Sequence, residues 1–484
     1  MSFFQHYLPT VWEWTLALIE LVSVAMALPH VLLRKKDPRA AAYWVALILF
    51  VPFLGPLLYL LLGINIIRRS GRRYRDAVPV DSQGRLASYV ANLLPEWETE
   101  VQSMPGLVNS LNTLSRMSLV GGNSVTVLHN GKEVMPAMLE AIDSATSSIS
   151  LLSYIFEVKG IGLRFVEALE RAVKRGVQVR VMIDDAGTRY AWPPVTSELL
   201  RRGITVRRFM PNKFIGRLLT MNLRNHRKIM VVDGRLGFTG GVNIRQGNML
   251  EELPAHPVQD LHFKVQGPVV MQMQQVFGED WQFCTGEVLE GKAWYPELEM
   301  PGDVSAIGLP DGPDDDTQTI SFAIATALHE AKREVRVLTP YFLPPEPIFS
   351  ALIACALRGV KVRILLPAEN NIPWVKWASR TMYAALLKHG IRFFESAPPF
   401  DHSKALIIDG TFTLIGSTNW DPRSLQLNFE FNLACFDDKL ARALMAEFDR
   451  KLANATEITL DMLAAQTVWE QLRNGTARLL IPLL

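Results

Sequence analysis

Cysteine is nearly absent from the 484 residues: Cys284, Cys355 and Cys435 are the three thiols. They are scattered among apolar neighbours, with neither the spacing of a disulfide framework nor that of a metal site. They read as core residues, consistent with a reducing compartment. A charge excess is lacking as well. Lys and Arg number 50 against 48 Asp and Glu, a formal net charge of +2. That excludes the strong basic bias of a dedicated nucleic-acid binder. Asp184-Asp185 has no companion ligands and follows an apolar strand, so it reads as a strand-end turn. His262, His329 and His389 have no partner that the sequence identifies and read as structural or exposed. No feature calls for a metal or cofactor, and none specifies an oligomeric state.

Long apolar runs, by contrast, open the chain. Residues 14–33 are about enough to cross a bilayer, for which roughly 20 residues are needed. Glu20 inside this run must face a partner helix or water. A second run, residues 40–67, contains Pro52, Gly55 and Pro56 and reads as a kinked span or a re-entrant element. Ala25-Met-Ala27 has the small-residue pattern of a leader cleavage site. The run before it has no basic start and is too long for a leader, so residues 1–70 are expected to be a membrane-anchoring region. Basic residues flank the second run on both sides: Arg34-Lys-Lys-Asp-Pro-Arg39 before it, Arg68-Arg69 and Arg72-Arg-Tyr-Arg75 after it. The larger cluster favours the cytoplasmic face for the remainder of the chain and suits anionic headgroups.

The most informative feature is a short polar signature that occurs twice. His226-Arg-Lys228 is followed by Asp233, and His402-Ser-Lys404 by Asp409. Four apolar or small residues separate Lys from Asp in each copy. Six residues separate each Asp from a small-residue turn ending in Asn: Gly240-Gly-Val-Asn243 and Gly416-Ser-Thr-Asn419. Two copies with the same internal spacing indicate a duplicated half-site. The alternation suits a strand, with His226, Lys228 and Met230 on one face and each Asp at a strand end beside a Gly turn.

The region around the motifs reads as α/β. Helix-like 135–145 leads into an apolar strand at 149–156, an amphipathic helix at 162–175 and a buried strand at 177–183. The second half repeats the order at 321–331, 335–342, 347–358 and 360–366. A further helix-Gly-strand unit comes next in each half, at Gly203 and Gly390. The acidic stretch Pro310-Asp-Gly-Pro-Asp-Asp-Asp316 marks the seam. The expected architecture is two similar α/β domains, 107–300 and 317–484, related by a pseudo-twofold and each giving one motif to a shared cleft.

Breaking a phosphodiester needs a nucleophile, a proton donor for the leaving alkoxide, and positive charge around the phosphoryl oxygens. Two histidines can divide the first two roles. Lys228 and Lys404 can hold phosphate oxygens, and Asn243 and Asn419 can donate further hydrogen bonds. Asp233 and Asp409 complete the motif as structural or electrostatic members. Each histidine needs an acceptor for its other ring nitrogen, and Asp260 and Glu430 occupy matching places downstream. The near identity of the copies leaves open which histidine attacks.

The paired motifs resemble those of the phospholipase D superfamily. Leu57-Leu-Tyr-Leu60, Asp260-Leu-His-Phe263, Thr339-Pro-Tyr-Phe342, Asp421-Pro-Arg-Ser424 and Leu427-Asn-Phe-Glu430 further resemble bacterial cardiolipin synthases, over nearly the whole chain. That resemblance implies a phosphatidyltransferase of the bacterial inner membrane, multi-pass and with cytoplasmic catalytic domains. It would convert two phosphatidylglycerols to cardiolipin and glycerol without a cofactor. It implies His226 as nucleophile, oriented by Asp260, and His402 as acid and base, oriented by Glu430. Phosphatidylglycerol and anionic membrane lipids are then the partners, and nucleic acid is not. A hydrolase, another phosphatidyl-alcohol transferase, a nuclease and a non-catalytic membrane scaffold are the competing readings. The basic, apolar segment 213–224 is a candidate for dipping into the membrane, and Trp374-Val-Lys-Trp377 reads as a helix packed on the sheet or an interfacial anchor.

Overall fold

The computed structural model describes residues 11–35, 38–60, 99–190, 192–210, 224–313 and 318–479. They fall into an N-terminal unit and a larger α/β unit.

In the N-terminal unit, α1 (Val11–Arg34) is the one helix among the described residues long and apolar enough to cross a bilayer. α2 (Pro38–Phe50) has 13 residues, about 20 Å of helix, too short to span alone. The second apolar run breaks at Pro52, where Phe53 takes a φ of 59°, and resumes as the short α3 (Leu54–Leu58). Glu20 serves that break: its Oε2 accepts the Phe53 N–H at 2.7 Å. Val31, Ile48 and Tyr59 form a small buried cluster. The Arg68-Arg69 and Arg72-Arg-Tyr-Arg75 clusters and nearly all of 213–224 lie outside the described residues.

The described part of the α/β unit opens with a single helical turn, Thr99–Gln102, followed by α4 (Pro105–Leu114). The first half then runs β1 (Val120–His129), α5 (Asn130–Ser144), β2 (Ser148–Ser153), α6 (Ile161–Lys174), β3 (Gln178–Asp184), α7 (Val195–Arg201) and β4 (Val206–Phe209). It continues through β5 (Ile229–Val232), β6 (Leu236–Gly240), β7 (Val258–Gln259), β8 (Leu261–Gln266) and α8 (Val269–Thr285). The second half runs β9 (Val304–Asp311), α9 (Thr319–Glu330), β10 (Glu334–Leu338), α10 (Glu346–Leu357), β11 (Lys361–Pro367), α11 (Pro373–Leu387) and β12 (Arg392–Ser396). It ends with β13 (Phe400–Asp401), β14 (Ala405–Ile408), β15 (Phe412–Gly416), α12 (Pro422–Gln426), β16 (Glu430–Phe436), α13 (Asp438–Leu452), β17 (Thr456–Ile458), α14 (Leu460–Ala464) and α15 (Val468–Leu479).

Fifteen of these strands make one sheet. Outward from a central antiparallel β1–β9 pair, the order is β8-β6-β5-β2-β3-β4 on one side and β16-β15-β14-β10-β11-β12 on the other. Equivalent strands therefore sit at equal distances from a pseudo-twofold between β1 and β9. The strands β2-β3-β4 and β10-β11-β12 pair in parallel, and the inner ones, β2, β3, β10 and β11, are rich in buried Val, Ile and Leu. Gly176 and Gly359, at φ of 88° and 83°, turn the chain from α6 and α10 into the next strand.

The seam is tighter than a linker. Pro310 and Asp311 are the last residues of β9, which hydrogen-bonds along β16 and also pairs with β1. One apolar core runs through both halves, with Leu107 and Leu111 of α4 clustered with Ile320 and Ile324 of α9. Cys355 and Cys435 are buried in it and Cys284 is half-buried. Burial pushes the Cys355 thiol up to about 11. His329 bonds the Ala325 carbonyl of its own helix, and His389 is exposed.

Candidate active site

The two motifs enter their strands the same way. Residues 226–228 and 402–404 form the extended lead-ins to β5 and β14, which begin at Ile229 and Ala405. The expectation that His and Lys ride on the strands themselves is thus corrected by a few residues. The cause is where the lead-ins find their backbone partners, which is in the opposite half. His226 N donates to Phe429 O at 2.8 Å, just before β16. His402 N donates to Gln259 O at 2.8 Å, and β13 pairs with β7 just before it. The chain halves are interlocked across the pseudo-twofold.

That interlock decides the acceptors. His226 Nδ1 lies 3.1 Å from Glu430 Oε1, and His402 Nδ1 lies 2.8 Å from Asp260 Oδ2. The expected pairing, Asp260 with His226 and Glu430 with His402, is therefore reversed. Each carboxylate lies next to the segment that pairs with the other half's lead-in, so the two histidines exchange acceptors between halves. Both Nδ1 atoms are engaged, which leaves Nε2 for the cleft.

The pairs are not equivalent in detail. Glu430 is fully buried and also accepts Ser417 Oγ at 2.5 Å and Asn428 Nδ2 at 3.2 Å. Burial opposes its charge, but His226, Lys228 and Ser417 outweigh that and hold the carboxyl below its usual value. Asp260 accepts the Leu261 N–H at 2.8 Å, and burial pushes its carboxyl up against the pull of Lys404. Gly241 stands where the second half has Ser417. A Cβ at Gly241 would fall 2.2 Å from Asp260 Oδ1, so the carboxylate occupies the space of a side chain there. Tyr154 packs edge-on to His226 with ring centres 5.0 Å apart, and Tyr341 does the same to His402 at 6.3 Å.

Lys228 and Lys404 are 2% and 4% exposed. Lys228 Nζ donates to His226 O at 2.8 Å, while Lys404 Nζ donates to His402 O and lies 2.9 Å from His402 Nδ1. Burial, and then Lys404, brings the Lys228 ammonium down to about 7, against the pull of Glu430. Burial likewise lowers Lys404. His226 is lowered by burial and Lys228, with Glu430 opposing. His402 is lowered further, by burial and by Lys404, Lys228 and His226. The cleft thus concentrates positive charge and donors in a buried place, which is what a phosphate anion would relieve.

Asn243 and Asn419 line the same cavity as the histidines, a space of about 1150 Å³. Asn243 Oδ1 accepts the Ile155 N–H at 3.2 Å, and Asn419 Nδ2 donates to Ser424 Oγ at 3.2 Å. Asp233 and Asp409, grouped with the motif residues, are not in this cleft. They sit at the far ends of β5 and β14, four residues beyond Ile229 and Ala405. Asp233 accepts the N–H groups of Thr146, Ser147 and Ser148 at 3.2, 2.7 and 2.9 Å, and Asp409 those of Lys332, Arg333 and Glu334 at 2.8, 2.7 and 2.9 Å. Each occupies the left-handed region, at φ of 51° and 54°, ahead of a Gly. They brace the start of β2 and β10, and the structure gives them no path to the cleft.

Residues outside the repeated signature stand behind the histidines. Asn225 and Arg227 both bond Asp280, at 2.8 and 2.6 Å, and Arg227 also donates to Glu430 O at 3.1 Å. In the second half Lys451 bonds Asp401 at 2.7 Å and Ser403 at 2.8 Å. The residue types differ at matching places, Asn225 and Arg227 against Asp401 and Ser403, so no repeat signal marks them. Asp184 closes β3 in a turn, as expected, and also accepts the Asn225 N–H at 2.7 Å; burial lifts its carboxyl to about 6. His262 is buried beside the Gly240 turn, and burial drops its imidazole to about 3. Trp374 and Trp377 are on α11; Trp377 stacks with Arg473 at 4.7 Å, while Trp374 is 45% exposed and borders the cavity. Among the described residues there is no group of three or more His, Cys, Asp and Glu arranged to hold a metal.

The family described as "Cardiolipin synthase, PLD-like domain" matches residues 138–281 and 324–452, and one described as "Phospholipase_D-nuclease N-terminal" matches 15–63. Cardiolipin synthase of Oceanobacillus iheyensis is 30% identical over 473 residues, 97% of this chain and 98% of the relative. Cardiolipin synthase A of Pseudomonas putida is 31% identical over 493 residues, 99% of this chain and all of the relative. Among solved structures, phosphatidylserine synthase of Haemophilus influenzae superposes at a TM-score of 0.59 with 13% identity, over 78% of this chain and all of that one. At that identity the likeness speaks to the fold.

Proposed function

Because this chain belongs to the cardiolipin synthase family, within the phospholipase D superfamily, we propose that it joins two phosphatidylglycerols into cardiolipin and glycerol through a phosphatidyl group carried on His226. The observation that carries this reading is the crossed pairing. Two histidines, each held at Nδ1 by the other half's carboxylate, line one cavity, and a buried lysine bonds the backbone carbonyl of each.

In the first step His226 Nε2 attacks the donor phosphorus. The N–P bond forms as the bond from phosphorus to the glycerol headgroup oxygen breaks, and His402 gives its proton to that oxygen. In the second step the acceptor lipid's hydroxyl loses its proton to His402 and its oxygen takes the phosphorus from His226. Protons and atoms balance without a further reactant. Glu430 suits the nucleophile side, because an ionised carboxylate at 3.1 Å stabilises the cationic phosphoimidazole. Lys228 and Lys404 hold the non-bridging oxygens. The phosphodiester's own negative charge offsets the crowded cations, which lets His402 take up the proton that step one requires.

The same proposal places the enzyme in the bacterial inner membrane. It reads residues 1–70 as a multi-pass region, α1 supplying one crossing and the run after Ala40 a second crossing or a re-entry. It puts the α/β unit on the cytoplasmic side, in contact with anionic lipid and not with nucleic acid.

The test is purified full-length protein in detergent–lipid micelles with radiolabelled phosphatidylglycerol as the sole phospholipid and a chelator present. Cardiolipin and free glycerol in equal amounts are expected. Phosphatidic acid alone would reassign the enzyme as a hydrolase, since the same intermediate can be resolved by water.

A further inference from the structure

The two ends of the cleft differ where the repeat is broken. Two residues after Asn243 stands Arg245; two residues after Asn419 stands Asp421. Both positions line the cavity. Asp421 is spent on its own helix, its Oδ1 accepting the N–H groups of Arg423 and Ser424 at 3.0 and 3.1 Å as the N-cap of α12. Arg245 is not tied down in that way. Its ion pair with Glu157 is held at 3.9 Å, and its Nε has no hydrogen-bond partner among the described residues although it is shielded from solvent.

The Arg245 guanidinium has a place built for it. A Cβ at Gly247 would fall 2.9 Å from Nη2 and 3.0 Å from Nε, so the absence of a side chain there is what makes room. Its charge is felt at His402, whereas that of Asp421 is felt by Glu430 and Lys404. Two further arginines line the cavity: Arg224, which donates to the Tyr154 hydroxyl beside His226 at 2.5 Å, and Arg423, whose charge acts on Asp421.

We propose that Arg245 binds the phosphodiester of the acceptor lipid. This rests on the phosphatidyltransferase reading and goes beyond it. The donor phosphorus lies between the two histidines and is served by Lys228 and Lys404. The acceptor, if it is a second phosphatidylglycerol, brings its own phosphate anion, which needs a separate cation. Its free hydroxyl must reach His402, the base of the second step, and Arg245 lies on that side. A planar guanidinium can grip two phosphate oxygens at once. Neutral acceptors such as glycerol or water carry no such anion and gain nothing from Arg245. An Arg here selects an anionic lipid over water as the resolving nucleophile.

The experiment compares two outputs of the same intermediate in the full-length protein. One is cardiolipin formed from phosphatidylglycerol micelles. The other is exchange of radiolabelled glycerol into phosphatidylglycerol, in which the acceptor is uncharged. For Arg245→Gln the ratio of cardiolipin formed to glycerol exchanged should fall about ten- to a hundredfold, the size of a charge-assisted contact. Arg245→Lys, which keeps the charge, should recover most of that ratio. A ratio unchanged in Arg245→Gln, whether both outputs fall or neither does, overturns the assignment. Wild-type protein that performs neither reaction instead removes the phosphatidyltransferase reading itself.

Discussion

Replacing Glu430 by Gln tests the exchange of acceptors most directly. The carboxylate is fully buried and within 3.1 Å of His226 Nδ1, with Ser417 and Asn428 satisfying its remaining lone pairs. The amide keeps the volume and removes the charge. Losing one partner of a buried charge pair costs about 3–5 kcal/mol. Part of that is felt before reaction, so about 2–4 kcal/mol enters the barrier as positive charge builds on His226. At about 1.4 kcal/mol per decade, the rate of phosphatidyl transfer to His226 should fall about 30- to 1000-fold. Asp260→Asn should instead weaken His402, and with it protonation and deprotonation. With a phosphatidyl donor whose leaving group is p-nitrophenol, step one needs no proton donor. Rapid quench under alkaline denaturing conditions would then find labelled enzyme accumulating in Asp260→Asn and almost none in Glu430→Gln, alongside unlabelled His226→Ala. Accumulation in Glu430→Gln with none in Asp260→Asn would refute the reasoning, since the carboxylates would then serve the opposite steps.

Further outcomes rest on the same geometry. Lys228 is lowered to about 7, so kcat/KM should fall as pH rises through about 7 while the ammonium is lost. The profile of kcat should extend to higher pH, because bound phosphate favours the cation. For stability the sign is the reverse. Between about 7 and the ordinary lysine value of 10.5 the unfolded chain holds a proton that the folded one has released, so this group's penalty is relieved as pH rises, which chemical denaturation at two pH values would detect. Asp409→Ala removes an acceptor shared by the N–H groups of Lys332, Arg333 and Glu334; it should cost about 2 kcal/mol in a thermal melt and leave the kcat of the folded fraction within about twofold. Gly241→Ala places a Cβ 2.2 Å from Asp260 Oδ1; the carboxylate must move from His402, and cardiolipin formation should drop as it does in Asp260→Asn, while Ser417→Ala should reproduce a weaker Glu430→Gln.

Much of this protein was legible along the chain, because its information is local. The hydrophobic periods of 162–175 and 177–183 match α6 and β3 to within a residue or two, since an amphipathic helix and a buried strand are specified by their own side chains. The doubled His-Lys signature was legible for the same reason, with all its members within 18 residues of one another in each copy. The break in the second apolar run was foreshadowed by Pro52, though not the use of Glu20 to satisfy it. What the chain order could not decide was partnership across the pseudo-twofold. Asp260 comes 34 residues after His226 and Glu430 comes 28 after His402, and matched places in a repeat suggest matched pairs. The fold does the opposite, because each lead-in finds its backbone hydrogen bonds on the other half, and the carboxylates arrive with those segments. The positions where the repeat is broken carried no signal either: Ser417 against Gly241, Arg227 with Asp280 against Asp401 with Lys451, and Arg245 against Asp421. Their meaning lies in distances between residues remote in sequence. Which residue types do the chemistry is a property of the chain, whereas which of them act together is set by the packing of two interlocked halves around one sheet.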